Sequence, residues 1–176
     1  LRLLSSHYKI KKLKRIGILS DTHCYIDEQM LKYLDQCDEV WHAGDIGAID
    51  VADKLAAFRP LRAVYGNIDN HTIRISYPLI QRFNCEEVDV LIKHIVGYPG
   101  KYDNSVKEII RNSPPKLLIA GHSHILKVQF DKKNNLLFVN PGAAGKYGLH
   151  KVRTLIRLTI DGTEMKDMEV VELEKR

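Results

Sequence analysis

The chain has 176 residues, 44% of them hydrophobic, with 27 Lys and Arg against 22 Asp and Glu for a formal charge of +5. A chain of this length buries roughly 70% of its unfolded surface, enough for one real core and too little for a second full domain. No run approaches the ~18 to 20 continuous apolar residues that span a bilayer, and residues 1–15 lack an apolar segment followed by a small-residue cleavage site, so a soluble, cytoplasmic protein with no membrane partner is expected.

Much of the positive excess lies in Lys9, Lys11, Lys12, Lys14 and Arg15, so residues 1–14 read as a basic lead before a single domain over 15–176. No aromatics are interleaved with these cations, which disfavours direct nucleic-acid binding. Cys24, Cys37 and Cys85 are odd in number and lack paired spacing. They read as free thiols of a reducing compartment.

The run Arg15 to Ser20 is short and apolar, as in a buried parallel strand, and residues 27–38 carry Met30, Leu31 and Leu34 at helical spacing. A second strand runs from Glu39 to Ala43, a second helix from Ala48 to Phe58 stopped by Pro60, and a third strand from Leu61 to Tyr65. This alternation predicts an α/β first half with parallel strands.

The second half changes character. Residues 79–83 and 88–93 predict a hairpin, residues 104–112 a short helix halted by Pro114 and Pro115, and residues 116–120 a buried strand. Residues 128–131 with 136–139, and 155–160 with 168–173, predict two more hairpins. A mostly antiparallel second half is therefore expected.

Seven metal-binding side chains fall where these apolar runs break off: Asp21 and His23, Asp45, Asn67, His94, and His122 and His124. Ligands collect beyond the carboxyl ends of strands in open α/β sheets, and glycine precedes Asp45, Asn67 and His122, as a sharp turn from strand to site requires. One such Asp is an ordinary helix cap and one such His an ordinary rim residue. Seven together exceed one tetrahedral zinc and suit two cations that share a carboxylate, an arrangement typical of phosphoryl chemistry.

The series Asp21-Thr-His23, Gly44-Asp45, Gly66-Asn-Ile-Asp69, His94 and Gly121-His-Ser-His124 resembles the calcineurin-like metallophosphoesterase superfamily in motif and order. The short length is most similar to its small YfcE-like phosphodiesterase branch. The resemblance implies an αββα fold, two mixed β-sheets flanked by helices in four layers. It also implies Asp21, His23 and His124 on a first cation, Asn67, His94 and His122 on a second, and Asp45 bridging. Two divalent ions follow, Mn²⁺ first, with Fe²⁺, Ni²⁺ or Zn²⁺ also suited to the donors. The implied activity is hydrolysis of a small phosphodiester by a hydroxide bridging the metals, with Asp45, Asn67 and His94 catalytic.

Where many superfamily members carry histidine after the asparagine, this chain has Ile68, which cannot protonate a leaving group. His71 reads as an exposed loop residue. Asp69 is expected to orient a ligand imidazole, and His42 to hydrogen-bond near the site. Tyr98, Lys101 and Tyr102 should border the cleft, either with the tyrosines stacking on a base or aryl group and the lysine attracting phosphate or as an ordinary Pro-Gly turn with exposed tyrosines, and Asn140-Pro-Gly142 resembles the family's turn beneath the metals. The alternative function is a protein-interaction scaffold with little or no catalysis, since a retromer subunit uses this fold with a degraded metal site. A homo-oligomer is compatible with either.

Overall fold

A computed structural model describes residues 13–175, so the basic lead expected over 1–14 lies almost wholly outside the described residues. Sixteen elements follow in order: β1 (Lys14–Leu19), α1 (Glu28–Leu34), β2 (Glu39–His42), α2 (Ile49–Phe58), β3 (Leu61–Ala63), α3 (His71–Ser76), β4 (Ile80–Cys85), β5 (Val88–Lys93), β6 (Gly97–Tyr98), β7 (Lys101–Tyr102), α4 (Asn104–Asn112), β8 (Leu117–Ile119), β9 (Leu126–Asp131), β10 (Leu136–Pro141), β11 (Val152–Asp161) and β12 (Glu164–Lys175). They build two five-stranded sheets, β12-β11-β1-β2-β3 and β4-β5-β8-β10-β9, and a small β6-β7 ribbon.

Ile16, Ile18, Trp41, Val90, Ile92, Ile119, Val139 and Ile156 interlock between the sheets with no more than 1% exposure. Each large aliphatic side chain so buried contributes roughly 1.5 to 3 kcal/mol. Met30, Leu34, Val51 and Leu55 pack α1 and α2 onto the outer face of the first sheet, while Val106 and Ile110 pack α4 onto the second. The four-layer αββα sandwich of two mixed sheets is thus complete.

Alpha helix α1 starts where Asp27 accepts the Met30 amide at 2.9 Å, and it stops at Leu34, four residues short of the expected end. The chain turns early because Asp38 is taken by β1: its amide donates to the Arg15 carbonyl at 2.7 Å and its carboxylate accepts the Arg15 amide at 2.8 Å. Gly17 permits the packing, since a Cβ there would lie 2.3 Å from Leu34 Cδ2.

The second half is less antiparallel than its sequence suggests. The three hairpins β4-β5, β9-β10 and β11-β12 form, but β5, β8 and β10 run parallel in the sheet interior, and β11 crosses back to lie antiparallel beside β1. A hairpin is visible in a local sequence pattern. Which edge its strands then offer a distant partner is not.

Candidate metal centre

All seven candidate side chains lie in loops that leave the carboxyl ends of β1, β2, β3, β5 and β8. Hydrogen bonds tie these loops together across both sheets: the Asp21 amide donates to Gly44 O at 2.9 Å, Gly121 N to His94 O at 3.0 Å and Ala144 N to Ser20 O at 2.9 Å. The Asp21 carboxylate itself accepts the His122 amide, at 3.1 and 3.2 Å.

Backbone strain concentrates here. Asp21, His23, Asp45, His122 and His124 all adopt left-handed conformations, with φ between 46° and 69°. Such conformations cost non-glycine residues of the order of 1 kcal/mol or more each and persist only where surrounding structure enforces them. The fold therefore spends stability to aim these five side chains at one point.

Two compact groups result, Asp21 with His23 and His124, and Asp45 with His94 and His122, each with its donor atoms within 4.8 Å of one another. Either group has the composition and spacing to hold a metal ion. Asp45 stands between them: its Oδ2 is 3.8 Å from His23 Nε2 and its Oδ1 3.2 Å from His94 Nε2. Asn67 is exposed and lines, with His94, a cleft of about 250 Å³.

The donor atoms face one another in a way that calls for positive charge. His94 Nδ1 is 2.7 Å from the Ala43 carbonyl, which can only accept, so the proton of the neutral ring sits on Nδ1 and Nε2 presents a lone pair. That Nε2 is buried without a hydrogen-bond partner, although Asp45 Oδ1 stands 3.2 Å away, because in this tautomer both atoms are acceptors. His23 Nε2 and His124 Nε2 likewise meet at 3.2 Å, and His124 Nε2 is 3.2 Å from Asp21 Oδ1. A divalent cation satisfies such sets where a single proton cannot, so the residues fit the metals that the motif series implies.

Burial alone would raise the Asp45 carboxyl, yet His94 beside it and the Ile68 amide, 3.1 Å from Oδ1, hold it below the ordinary carboxylate range. Burial would depress His94, but Asp45 and Asp21 raise it instead. The two carboxylates thus draw positive charge to His94 Nε2, the charge that a cation would supply when bound. His42, fully buried, has its imidazole pushed down to about 4 by desolvation, and it stays neutral: Nδ1 accepts the Gly44 amide, which leaves Nε2–H to donate to Thr22 Oγ1 at 2.9 Å. It joins the β1 loop to the β2 loop, within the role expected of it.

Asp69 departs from its expected role. Its carboxylate touches no ligand imidazole; Oδ1 accepts the Gly47 amide at 2.7 Å, and Oδ2 accepts the Gly66 amide at 2.7 Å and the Ile46 amide at 3.2 Å. Asp69 therefore locks the turn that carries Asp45 to the turn that carries Asn67. His71 is the first residue of α3 rather than a loop residue, exposed and absent from the cleft lined by Asn67 and His94. The three cysteines among the described residues are free thiols, Cys24 exposed and outside both groups, Cys37 and Cys85 buried.

Of the three residues expected at the cleft, only Tyr98 lines the cavity beside His122. Tyr102 turns away to donate to Asp131 Oδ2 at 2.7 Å, and Lys101, on the far strand of the ribbon, is replaced by Lys127, whose Nζ lies 4.8 Å from the Tyr98 ring centroid. Sequence reading also missed the loop over 142–150. Tyr147 tilts against His23 with ring centroids 4.9 Å apart, and His150 stands edge-on to His124 at 5.4 Å. The signal was present as Gly142, Gly145 and Gly148: a Cβ on Gly145 would lie 2.2 Å from Thr22 O, and one on Gly148 2.2 Å from His124 Nδ1.

The model of the calcineurin-like phosphoesterase superfamily domain matches residues 15–163. The chain belongs to the calcineurin-like phosphoesterase superfamily. None of the curated proteins compared with it matches significantly. Solved structures share the calcineurin-like fold. An archaeal phosphodiesterase is 21% identical, with a TM-score of 0.69 over 90% of this chain and 99% of that one. Vps29 of Entamoeba histolytica, solved with Zn²⁺, is 17% identical, with a TM-score of 0.69 over 90% and 98%. A predicted phosphoesterase of Streptococcus pneumoniae is 17% identical, with a TM-score of 0.61 over 92% and 99%.

Proposed function

We propose that this chain is a binuclear metal-dependent phosphodiesterase. Asp21, His23 and His124 hold one divalent cation, Asn67, His94 and His122 hold the other, and Asp45 serves both. The observation that carries this reading is the position of Asp45, whose two carboxylate oxygens face one imidazole from each group. The family and the archaeal phosphodiesterase fold support it.

When bound, a pair of divalent cations polarises the phosphoryl group and provides the nucleophile at neutral pH. The protein's part is to place and balance charge. Two buried carboxylates, Asp21 and Asp45, offset half the charge of two dications, and the remaining imidazoles and amide are neutral, so the loaded centre attracts a phosphodiester anion. Mn²⁺ is our first choice, with Fe²⁺, Ni²⁺ and Zn²⁺ compatible with the donors. A cytoplasmic setting agrees with the free thiols and, among the described residues, with the absence of a helix able to cross a membrane.

Ile68 contributes only its amide, to Asp45, and its side chain is 45% exposed at the rim. With no proton donor there, substrates with good leaving groups should be favoured. Purified protein is therefore expected to hydrolyse bis(p-nitrophenyl) phosphate when Mn²⁺ is added and to lose that activity in chelator. Absence of turnover with Mn²⁺, Fe²⁺, Ni²⁺, Zn²⁺ and Mg²⁺ alike would refute the proposal.

That failure would favour the second reading, an interaction scaffold, for which a separate observation speaks. Edge strand β9 presents Leu126, Val128 and Phe130 on one face, 38%, 41% and 53% exposed. An apolar stripe on an unpaired edge is the kind of surface that associates. Antiparallel pairing of two copies about Gln129 would set Val128 of each strand against Phe130 of the other.

A further inference from the structure

Beside His122 lies a partly enclosed cavity of about 280 Å³ that the charge balance of the metal centre does not use. Val96 and Phe138 form its inner wall, each 1% exposed, and Ile125 and Tyr98 form its rim, 65% and 46% exposed. Its polar residue at depth, Asn140, turns its amide inward: Nδ2 donates to Gly121 O at 2.8 Å and to Ser123 Oγ at 3.1 Å, while Oδ1 accepts the Gly142 amide. The interior thus offers dispersion and little hydrogen bonding.

The mouth is different. Lys127 holds its ammonium 4.8 Å from the centroid of the Tyr98 ring, and among the described residues no carboxylate pairs with it. With that cation over one face of Tyr98, a flat ring whose edge carries acceptor atoms can meet the tyrosine's other face or its edge within reach of the charge. The volume falls just below the range of ligand pockets, about 300 to 1,000 Å³, which suits one ring system rather than a folded polymer or a long acyl chain.

We propose that this cavity is the subsite for a planar aromatic ester group of the substrate, an aryl or nucleoside moiety, stacked on Tyr98 with its phosphate directed past Lys127 toward His122. The proposal rests on the phosphodiesterase reading for the position of that phosphate. It narrows the substrate class from any phosphodiester to one bearing an aromatic substituent. Dialkyl phosphodiesters would leave the apolar wall unfilled.

The test is equilibrium binding by titration calorimetry on the full chain, with and without added Zn²⁺, using methylphosphonate, phenylphosphonate and adenosine 5′-monophosphate. Phenylphosphonate is expected to bind roughly 5 to 10 times more tightly than methylphosphonate in both conditions, the order expected of one ring stack. The nucleotide binding more tightly than phenylphosphonate would assign the ring to a nucleoside, and the reverse to an aryl ester. Tyr98→Ala removes the stacking face and Ile125→Trp fills the cavity from the opposite rim, and both should bring the ratio to within about twofold. Equal affinities in the unsubstituted chain, or a ratio that survives both substitutions, would overturn the subsite. Turnover plays no part in this readout, so a protein that keeps the aromatic preference yet hydrolyses nothing refutes the enzymatic reading alone.

Discussion

Asp45→Asn is expected to lower the metal-supported kcat/KM for bis(p-nitrophenyl) phosphate by about 10³-fold or more while leaving the fold intact. Residues that merely support a metal ligand are worth roughly 10- to 100-fold in affinity or activity, and Asp45 acts on both groups at once. Its Oδ2 faces His23 and its Oδ1 faces His94, so replacing one oxygen with an amide removes charge from the middle of the constellation. The same Oδ1 accepts the Ile68 amide at 3.1 Å, a bond that asparagine can keep through its carbonyl. Circular dichroism should therefore be unchanged. His124→Ala, which touches only the first group, should cost less, and retention of more than a tenth of activity by Asp45→Asn would remove Asp45 from its shared position.

Asp69→Ala is expected to destabilise the protein by about 3 to 5 kcal/mol, read as a fall in the urea midpoint at unchanged slope. Asp69 is 3% exposed, and its carboxylate is the acceptor for three amides, those of Ile46, Gly47 and Gly66. Each buried N–H left without a partner costs roughly 1 to 3 kcal/mol, and these three belong to two turns that are otherwise joined, among the bonds described, by the Ile68 amide on Asp45. Asp69→Asn should fall between, since one acceptor oxygen survives. A loss below about 1 kcal/mol for the alanine variant would mean that the turns are held by something else.

The history of Asp69 shows what the sequence could and could not disclose. Gly66-Asn-Ile-Asp69 fixed its place near the site, because a polar cluster that ends an apolar strand is a local signal. Two of its three partners are amides 22 and 23 residues away, and no spacing rule reaches them. The same division explains the fold. Asp21, Asp45 and His122 were legible as strand-end residues, since each follows a run of buried aliphatics. The parallel run of β5, β8 and β10 was hidden, because sheet order depends on which distant edge a strand finds.

Short elements failed for a related reason. Helix α3 spans His71 to Ser76 and buries only Ile73, so it shows no periodicity and depends on the Asn70 cap, 3.2 Å from the Ile73 amide. Tyr98 and Tyr102 looked equivalent in sequence. The tight ribbon sends one to the cavity beside His122 and the other to Asp131, and the cation expected at Lys101 arrives instead from β9 as Lys127.

The measurement closest to the centre of this account is metal stoichiometry: equilibrium dialysis of the full chain against Mn²⁺, followed by elemental analysis of the retained ion. Two equivalents per chain are expected, falling below one in Asp45→Asn. A single equivalent in the unsubstituted protein, or none, would contradict the binuclear centre and with it the proposed chemistry.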